Sequence, residues 1–483
     1  MRAANTSLCL ILIAAFILSV SGIHGDVEGK ASTGIPAAAE MIVSSDQPVA
    51  FINVQVIPMD KERVLKDQTV IVRDGKIEAI GSSKKLKPPK GAFVIDGHGQ
   101  YLLPGLSDLH IHLRSTDELI SYLAYGVTTV LHLSGSMSGA PDILGYRSRL
   151  SRNEMTGPTL YATGPNVDGD PPIFPGVSVA VKTPEDAQRV VEEQKRAGYD
   201  FIKVYNRIPP QAYEALMLAA RKHNIAVIGH IPRQVGAERA LKAGQAMIAH
   251  GEEYFFTFFG GPSDSVNRPE NRRAIDESKI HFIAKATLDA QAAVMPNLSF
   301  IASTKRQLDD ITGVLGDPET RYLHPNVLNM WKSNNPTKRR DLDQFIEREK
   351  IKYALVKKMT KAMNHSGVQL LMGTDSSAPG LFPGQSAHLE LREMIDAGLT
   401  PYQAIVAGTK NAGRFISKHV KGTDNFGIIA IGHRADLILL SENPLKDITA
   451  LSRLRGVMAR GRWMTAEQLQ RMRDEFVARY RNM

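Results

Sequence analysis

His110 and His112 stand one residue apart at the end of an apolar run, Leu103-Pro104-Gly105-Leu106-Ser107-Asp108-Leu109. On a β-strand, side chains two positions apart leave the same face. A strand here would therefore present two imidazoles to one small cation, a pairing suited to zinc and similar ions. An isolated pair would be read equally well as two ordinary core or surface histidines. Four later strand-like runs change that reading, because each carries at or near its end a residue able to bind or serve a divalent metal. They are Phe201 to Tyr205 with Lys203, Ala226 to His230, Ala246 to His250, and Leu370 to Asp375.

These residues need a framework that brings strand ends together, and the middle of the chain alternates strand and helix patterns. Thr183-Pro184 combines an N-cap with proline at the first helical position, predicting a helix to about Gly198. Further helices are expected from Pro210 to Asn224 and from Gly236 to Gly244. The spacing from Lys203 to His230 to His250 suits successive βα units. Thr128 to His132, Thr159 to Thr163 and Val294 to Leu298 supply the other strands. The expected fold is α/β: a (β/α)8 TIM barrel over residues 103–425, with every candidate at the mouth where catalytic residues gather. His132 and Asn297 end strands at the same mouth and are candidate substrate contacts or, equally, supports of the neighbouring ligand candidates; His388, after the eighth strand, is open between the same two roles. The loop Pro165 to Pro175 is too rich in proline and glycine for regular structure. The run Tyr254 to Phe259 is an apolar substrate wall or, by the stronger reading, packing.

The two ends of the chain share another texture. β-branched runs flank Asp74-Gly75, a hairpin signal, and return in Phe426 to Ile429, Ala435 to Leu440 and Arg455 to Gly461. Residues 48–102 and 426–465 are expected to form one small β-sandwich domain. Residues 466–483 follow as a helix, with Leu469, Met472, Phe476 and Tyr480 at helical spacing.

Arg2, the apolar run Leu8 to Val20 and small residues up to Gly25 read as a signal peptide over 1–25, since the run is shorter than the ~20 residues a spanning helix needs. A linker over 26–47 follows. A secreted or periplasmic protein without stable membrane insertion is expected. Cys9 is the only cysteine of the 483 residues, so the mature chain has no disulfide or thiolate chemistry, and metal ligands must come from His, Asp, Glu and Lys. The formal charge is +9, but the basic clusters Lys338-Arg339-Arg340 and Lys357-Lys358 are interspersed with acidic residues and read as a solvated helix, not as a nucleic-acid surface.

The ordered set His110/His112, Lys203, His230, His250, Asp375 resembles the amidohydrolase superfamily, in the imidazolonepropionase-like and prolidase-like branch that carries a carbamylated lysine. Leu103-Pro104-Gly105-Leu106, Gly126-Val127-Thr128-Thr129-Val130, Gly373-Thr374-Asp375, Gly398-Leu399-Thr400-Pro401 and Gly432-His433-Arg434-Ala435-Asp436-Leu437 support the resemblance, which runs from about Pro48 to Arg462. It implies two divalent ions, taken as zinc: His110, His112 and Asp375 would hold one, His230 and His250 the other. A carbamate on Lys203 would bridge them. A water between the metals would become the hydroxide nucleophile, with Asp375 as general base and then acid. Tyr205, two after Lys203 on the same strand face, either hydrogen-bonds the substrate carbonyl or tetrahedral intermediate or, equally, packs in the barrel. The implied reaction is hydrolysis of a carbon–nitrogen bond in a small substrate such as a dipeptide or N-acyl amino acid, by a homo-oligomer. Two departures bear on substrate: Leu131-His132 stands where many relatives have arginine, and Gly408-Thr409-Lys410-Asn411-Ala412-Gly413 replaces Ala-Thr-x-Asn-Ala-Ala. The alternatives are a mononuclear cyclic-amidine hydrolase or deaminase, and an inactive barrel serving in binding or assembly.

Overall fold

The computed structural model describes residues 47–134, 142–260 and 275–481. The expected signal peptide and all but the last residue of the expected linker lie outside them. No helix of the described residues is long and apolar enough to cross a membrane.

Both chain ends build one eight-stranded sheet. Its order runs Arg462–Thr465, Leu454–Ala459, Leu437–Leu440, Tyr101–Pro104, Val49–Val56, Leu65–Arg73 and Lys76–Ser82, with Phe93–Asp96 also beside Val49–Val56. Asp74 and Gly75 take φ of 50° and 73°, the paired positive values that a tight hairpin needs. Arg460 and Gly461 do the same at 49° and 79°. These two hairpin tips meet: a Cβ on Gly461 would lie 2.6 Å from the Gly75 Cα. The sheet therefore curls until strands distant in its order touch, with the Phe51 and Trp463 rings 5.2 Å apart over a core that includes Val54, Val70, Leu102, Leu439 and Met458. This corrects the expected two-layer sandwich, since period-2 alternation reveals a buried face but not whether a second sheet or the same sheet covers it. Phe426 to Ile429 is not a strand; Ile429 N–H donates to the Pro58 carbonyl at 2.9 Å.

Between these ends the strands are parallel. One sheet holds Leu106–Ile111, Val127–His132 and Thr159–Ala162. The other runs Ser178–Ala180, Asn166–Asp168, Phe201–Val204, Ala226–Gly229, Met247–Ala249 and Ala293–Met295. Part of the expected Pro165 to Pro175 loop is thus a short strand. Single parallel bridges join Thr163 to Phe201, Val294 to Leu370 and Ile111 to Ser376. The expected eighth strand is an extended segment without regular strand pairing, yet Leu371 N–H donates to Val294 O (2.9 Å), Leu109 N–H to Met372 O (2.9 Å) and Asp375 N–H to His110 O (2.8 Å). Those bonds bring the end of this segment to the end of the first strand. Gly105 permits the first strand's entry, because a Cβ there would lie 2.2 Å from Thr128 Oγ1.

The helix Pro184–Ala197 has its capping box at Thr183 and Asp186 and ends at Gly198, φ 91°, where a left-handed residue suits glycine. Pro210–Lys222 and Ala237–Lys242 follow the expected pattern. A long excursion, including Leu298–Leu315, Pro325–Ser333 and Leu342–Ser366, separates the strand Ala293–Met295 from residues 370–376. The terminal helix Ala466–Tyr480 buries Leu469 and Phe476, and its Tyr480 hydroxyl donates to Asp117.

Candidate metal centre

His110 and His112 lie where strand Leu106–Ile111 ends, and both point at Asp375: the Nε2 atoms are 3.1 and 2.9 Å from one carboxylate oxygen, Oδ1. One ligand atom from each of the three falls within 4.8 Å of the others. His110 is fully buried, and its Nδ1 has no hydrogen bond, although a buried polar atom ordinarily finds a partner. Burial lowers the pKa of His110 and holds that of His112 well below its ordinary value. Burial pushes Asp375 up, but His110 and His112 outweigh it and keep the carboxyl well below its usual range. Neutral imidazoles and an ionised carboxylate crowded together form a donor set that a divalent cation satisfies.

The other histidines adjoin this trio. His250 lies with its ring centroid 4.7 Å from that of His110 and 5.0 Å from that of His230. Burial lowers His250 to about 3 and holds His230 well below its usual value. His250 Nδ1 is also buried without a hydrogen bond. His250 and Asp375 adopt φ of 65° and 66°, a left-handed conformation costly for non-glycine residues and found at functional sites. Lys203 is 2% exposed; its Nζ donates to Leu133 O at 2.8 Å, and burial lowers its pKa to about 8.

The structure supplies partners that sequence reading did not single out. His230 Nδ1 lies 3.0 Å from Asn206 Oδ1 and 3.1 Å from Glu253 Oε1. Two acceptors face this nitrogen, so it carries the proton and Nε2 keeps the lone pair. Glu253, 1% exposed, also accepts from Asn206 Nδ2, Ile231 N–H and Arg233. On the other side, Asp108 accepts from the backbone N–H groups of His110 and Thr374 at 3.2 and 3.0 Å, tying the two ligand-bearing segments together. Glu253 follows His250 by three residues and Asp108 precedes His110 by two; proximity to a ligand was the available signal.

The histidines, Lys203, Asp375 and Tyr205 line one cavity of roughly 340 Å³. Tyr205 sits with its ring 4.0 Å from that of His230 and 5.6 Å from that of Phe174. Asn297 does not belong to the lining. Its Oδ1 accepts from His250 N–H (3.0 Å) and its Nδ2 donates to Gly373 O (2.8 Å), so of its two expected roles these bonds fit the supporting one, a brace between the segments that carry His250 and Asp375. His132 reaches the cavity wall, but its Nδ1 accepts from Leu113 N–H at 3.1 Å and its Nε2 donates to Ser134 O. Both nitrogens thus bond the backbone, while the ring stays in the cavity lining. His388 is buried against Tyr125 O at 2.9 Å. The aromatic run divides: Tyr254 and Phe255 are buried, Phe256 lines the cavity, and Phe258 stacks on Phe282. Arg339, expected on a solvated helix, has a side chain 6% exposed and faces the cavity.

The family model described as "Amidohydrolase family" matches residues 101–464. The chain belongs to the amidohydrolase family. It is accordingly a hydrolase acting on carbon–nitrogen bonds. This amidohydrolase is 22% identical to the ochratoxinase of Aspergillus niger over 454 residues, 81% of each chain. Among solved structures it resembles a bottromycin amidohydrolase (TM-score 0.70, 23% identity, 90% of this chain and 92% of that one). It also resembles a putative prolidase from Bifidobacterium longum (TM-score 0.65, 23% identity, 89% and 98%). The matched span contains every candidate ligand of the amidohydrolase, from His110 to Asp375.

Proposed function

We propose that this amidohydrolase cleaves an amide or peptide-like bond in a small acylated amine, a dipeptide or N-acyl amino acid, with two divalent metal ions, taken as zinc. The observation that carries the reading is the convergence of four neutral imidazoles, one ionised carboxylate and one buried lysine on a single cavity. The amidohydrolase and prolidase among the relatives support the bond type. The bridges at Phe201, Leu370 and Ser376 support closure of Leu106–Ile111, Val127–His132, Thr159–Ala162, Phe201–Val204, Ala226–Gly229, Met247–Ala249, Ala293–Met295 and the 370–376 segment into an eight-stranded barrel, with Asn166–Asp168 and Ser178–Ala180 outside it.

His110, His112 and Asp375 would hold one ion, His230 and His250 the other. Bound ions would acidify a water and polarise the scissile carbonyl. Lys203 is suited to carbamylation, because burial favours its neutral amine: the nitrogen lone pair bonds carbon dioxide, a proton leaves, and the resulting carbamate offers two oxygens. Asp375 would take the proton of the attacking water and return it to the leaving nitrogen. Burial holds the Tyr205 pKa well above its usual value, so its hydroxyl remains a donor for the substrate carbonyl. The N-terminal apolar run supports export, and homo-oligomerisation belongs to the same proposal.

A mononuclear reading has one observation in its favour: among the described residues, only His110, His112 and Asp375 form a tight ligand cluster. Two ions per chain would exclude it. The experiment is to load the mature protein with zinc and measure amine release from a library of dipeptides and N-acyl amino acids. Release from a discrete group of them is expected; no release from any, with cyclic amidines turned over instead, would overturn the proposal.

A further inference from the structure

A second cavity, of roughly 560 Å³, lies at the other end of the parallel strands. One wall is the helix Lys410–His419, which buries Ala412, Phe415 and Ile416. The Phe415 ring stacks on that of Phe201 at 5.7 Å, and Asn411 Nδ2 donates to Leu370 O at 2.9 Å. Phe201 and Leu370 begin the segments that lead to Lys203 and Asp375, so the helix packs against strand starts, away from the proposed metal ligands. The facing wall is the chain from Asn425 to His433. It comes directly onto the helix because residue 413 is glycine: a Cβ there would lie 2.1 Å from Phe426 O.

The lining is one-sided in charge. Lys410, Arg414 and Lys418 stand four apart on the helix and share a face, Asn425 and His433 add polar groups, and Asp60 is the single acid. The Asp60 carboxylate is already held by Arg63, 3.2 Å from Nε and 2.5 Å from Nη2; its backbone carbonyl accepts from Lys410 Nζ. Asp424, beside Asn425, is paired with Lys76 at 3.0 Å. The exposed Arg414 and Lys418 side chains have no ion pair or hydrogen bond with the described residues, and His433 Nδ1 is buried without a partner. Burial, and after it the Arg414 charge, hold Lys410 below its ordinary pKa. Cations gathered in a concave site concentrate anions. A phosphoryl group, with a charge of about −1.5 to −2 at pH 7 and three acceptor oxygens, meets more of these donors than a monocarboxylate can, and a guanidinium takes two of its oxygens side by side. We infer that this cavity binds a phosphoryl-bearing ligand, with Arg414 as its anchor and Lys410 and Lys418 beside it. The phosphoryl group belongs to a free small molecule or to a lipid headgroup, for which Ile431, 66% exposed and two residues from His433, offers an apolar contact next to the site.

The test reads lysine protection on the purified full chain. N-hydroxysuccinimidyl acetate labels accessible amines, and peptide mass spectrometry follows Lys410 and Lys418 as inorganic pyrophosphate is added at constant ionic strength. Both lie apart from the proposed metal ligands, so anion taken up by a bound metal does not enter the reading. Saturable protection of Lys410 and Lys418 is expected, with the exposed Lys84, Lys85 and Lys338 labelled as before. Arg414→Gln should raise the half-protecting concentration about tenfold or more, the scale of a charged hydrogen bond. Arg414→Lys should recover part of that loss, and Arg340→Gln, which removes the same charge from another basic cluster, should leave the concentration unchanged. A second arm replaces pyrophosphate with phosphatidylcholine vesicles with and without phosphatidic acid. Protection that requires phosphatidic acid makes the ligand a headgroup; protection by pyrophosphate alone makes it a free phosphorylated molecule. No saturable protection by either probe, equal protection at the control lysines, an equal shift in Arg340→Gln, or protection unaltered in a folded Arg414→Gln protein would overturn the inference.

Discussion

Glu253→Gln isolates a residue that touches no proposed metal yet orients one ligand. In the native structure the Glu253 carboxylate faces the His230 Nδ1–H at 3.1 Å and also holds Asn206 and Arg233. Glutamine keeps the volume and one oxygen but loses the charge and turns an N–H₂ group toward other donors. The His230 imidazole becomes less basic and is held at Nδ1 by Asn206 Oδ1 alone, and losing such a partner typically costs 10–100-fold in metal affinity, about 1.4–2.7 kcal/mol. Because the Arg233 side chain is 23% exposed, water offsets part of the lost ion pair, and the fold should lose only about 1–2 kcal/mol. The assay is competition for zinc with a chromophoric chelator, alongside chemical unfolding of the metal-free protein. Zinc affinity at the proposed site of His230 and His250 should fall by that factor while that at the proposed site of His110, His112 and Asp375 stays unchanged. Wild-type affinity at both sites in the Gln variant, or equal weakening at both, would refute the reasoning.

Asp375→Asn should lower metal content modestly and turnover by about 100-fold or more, the scale of a lost general acid–base; metal content and kcat on one preparation check it, and near wild-type turnover of a fully metallated variant would count against the proton role. Lys203→Ala should lose activity and regain part of it with added short carboxylic acids, read by amine release, and intact-protein mass spectrometry of the native chain should show a carbamate. Glu390 is pushed up to about 7 by burial, against the backbone donors Leu298 and Ser299. Its folded pKa lies above the ordinary carboxylate value, so its contribution to stability is present below about pH 4.5 and is lost as pH rises through 7. Glu390→Gln should therefore flatten the fall of the unfolding midpoint between pH 5 and pH 8, which thermal melts across that range measure.

The residues that converge on the cavity were legible because their types suit a metal and apolar runs place them: His110 and His112 two apart on one strand, and His230, His250 and Asp375 each closing an apolar run. Helix limits such as Thr183 and Gly198 were legible from local capping chemistry. What sequence did not disclose depends on contacts distant along the chain. Asn297 looks like any polar residue at a strand end until His250 N–H and Gly373 O meet its amide. Glu253 becomes informative only beside His230. Arg339 sits in a basic cluster whose composition suggests solvent, yet the excursion folds it over the cavity. The sheet that curls onto itself has the same alternation as a two-layer sandwich, since alternation records burial of a face and not the identity of what buries it.

The most direct test of the central claim is a metal titration of amide hydrolysis. The purified protein is stripped with a chelator, zinc is returned in measured equivalents under dissolved carbon dioxide, and released amine is followed at each step. The stripped protein should hydrolyse nothing, and activity should recover and saturate at two equivalents per chain. Hydrolysis that survives stripping, or full recovery at one equivalent with no further binding, would contradict it.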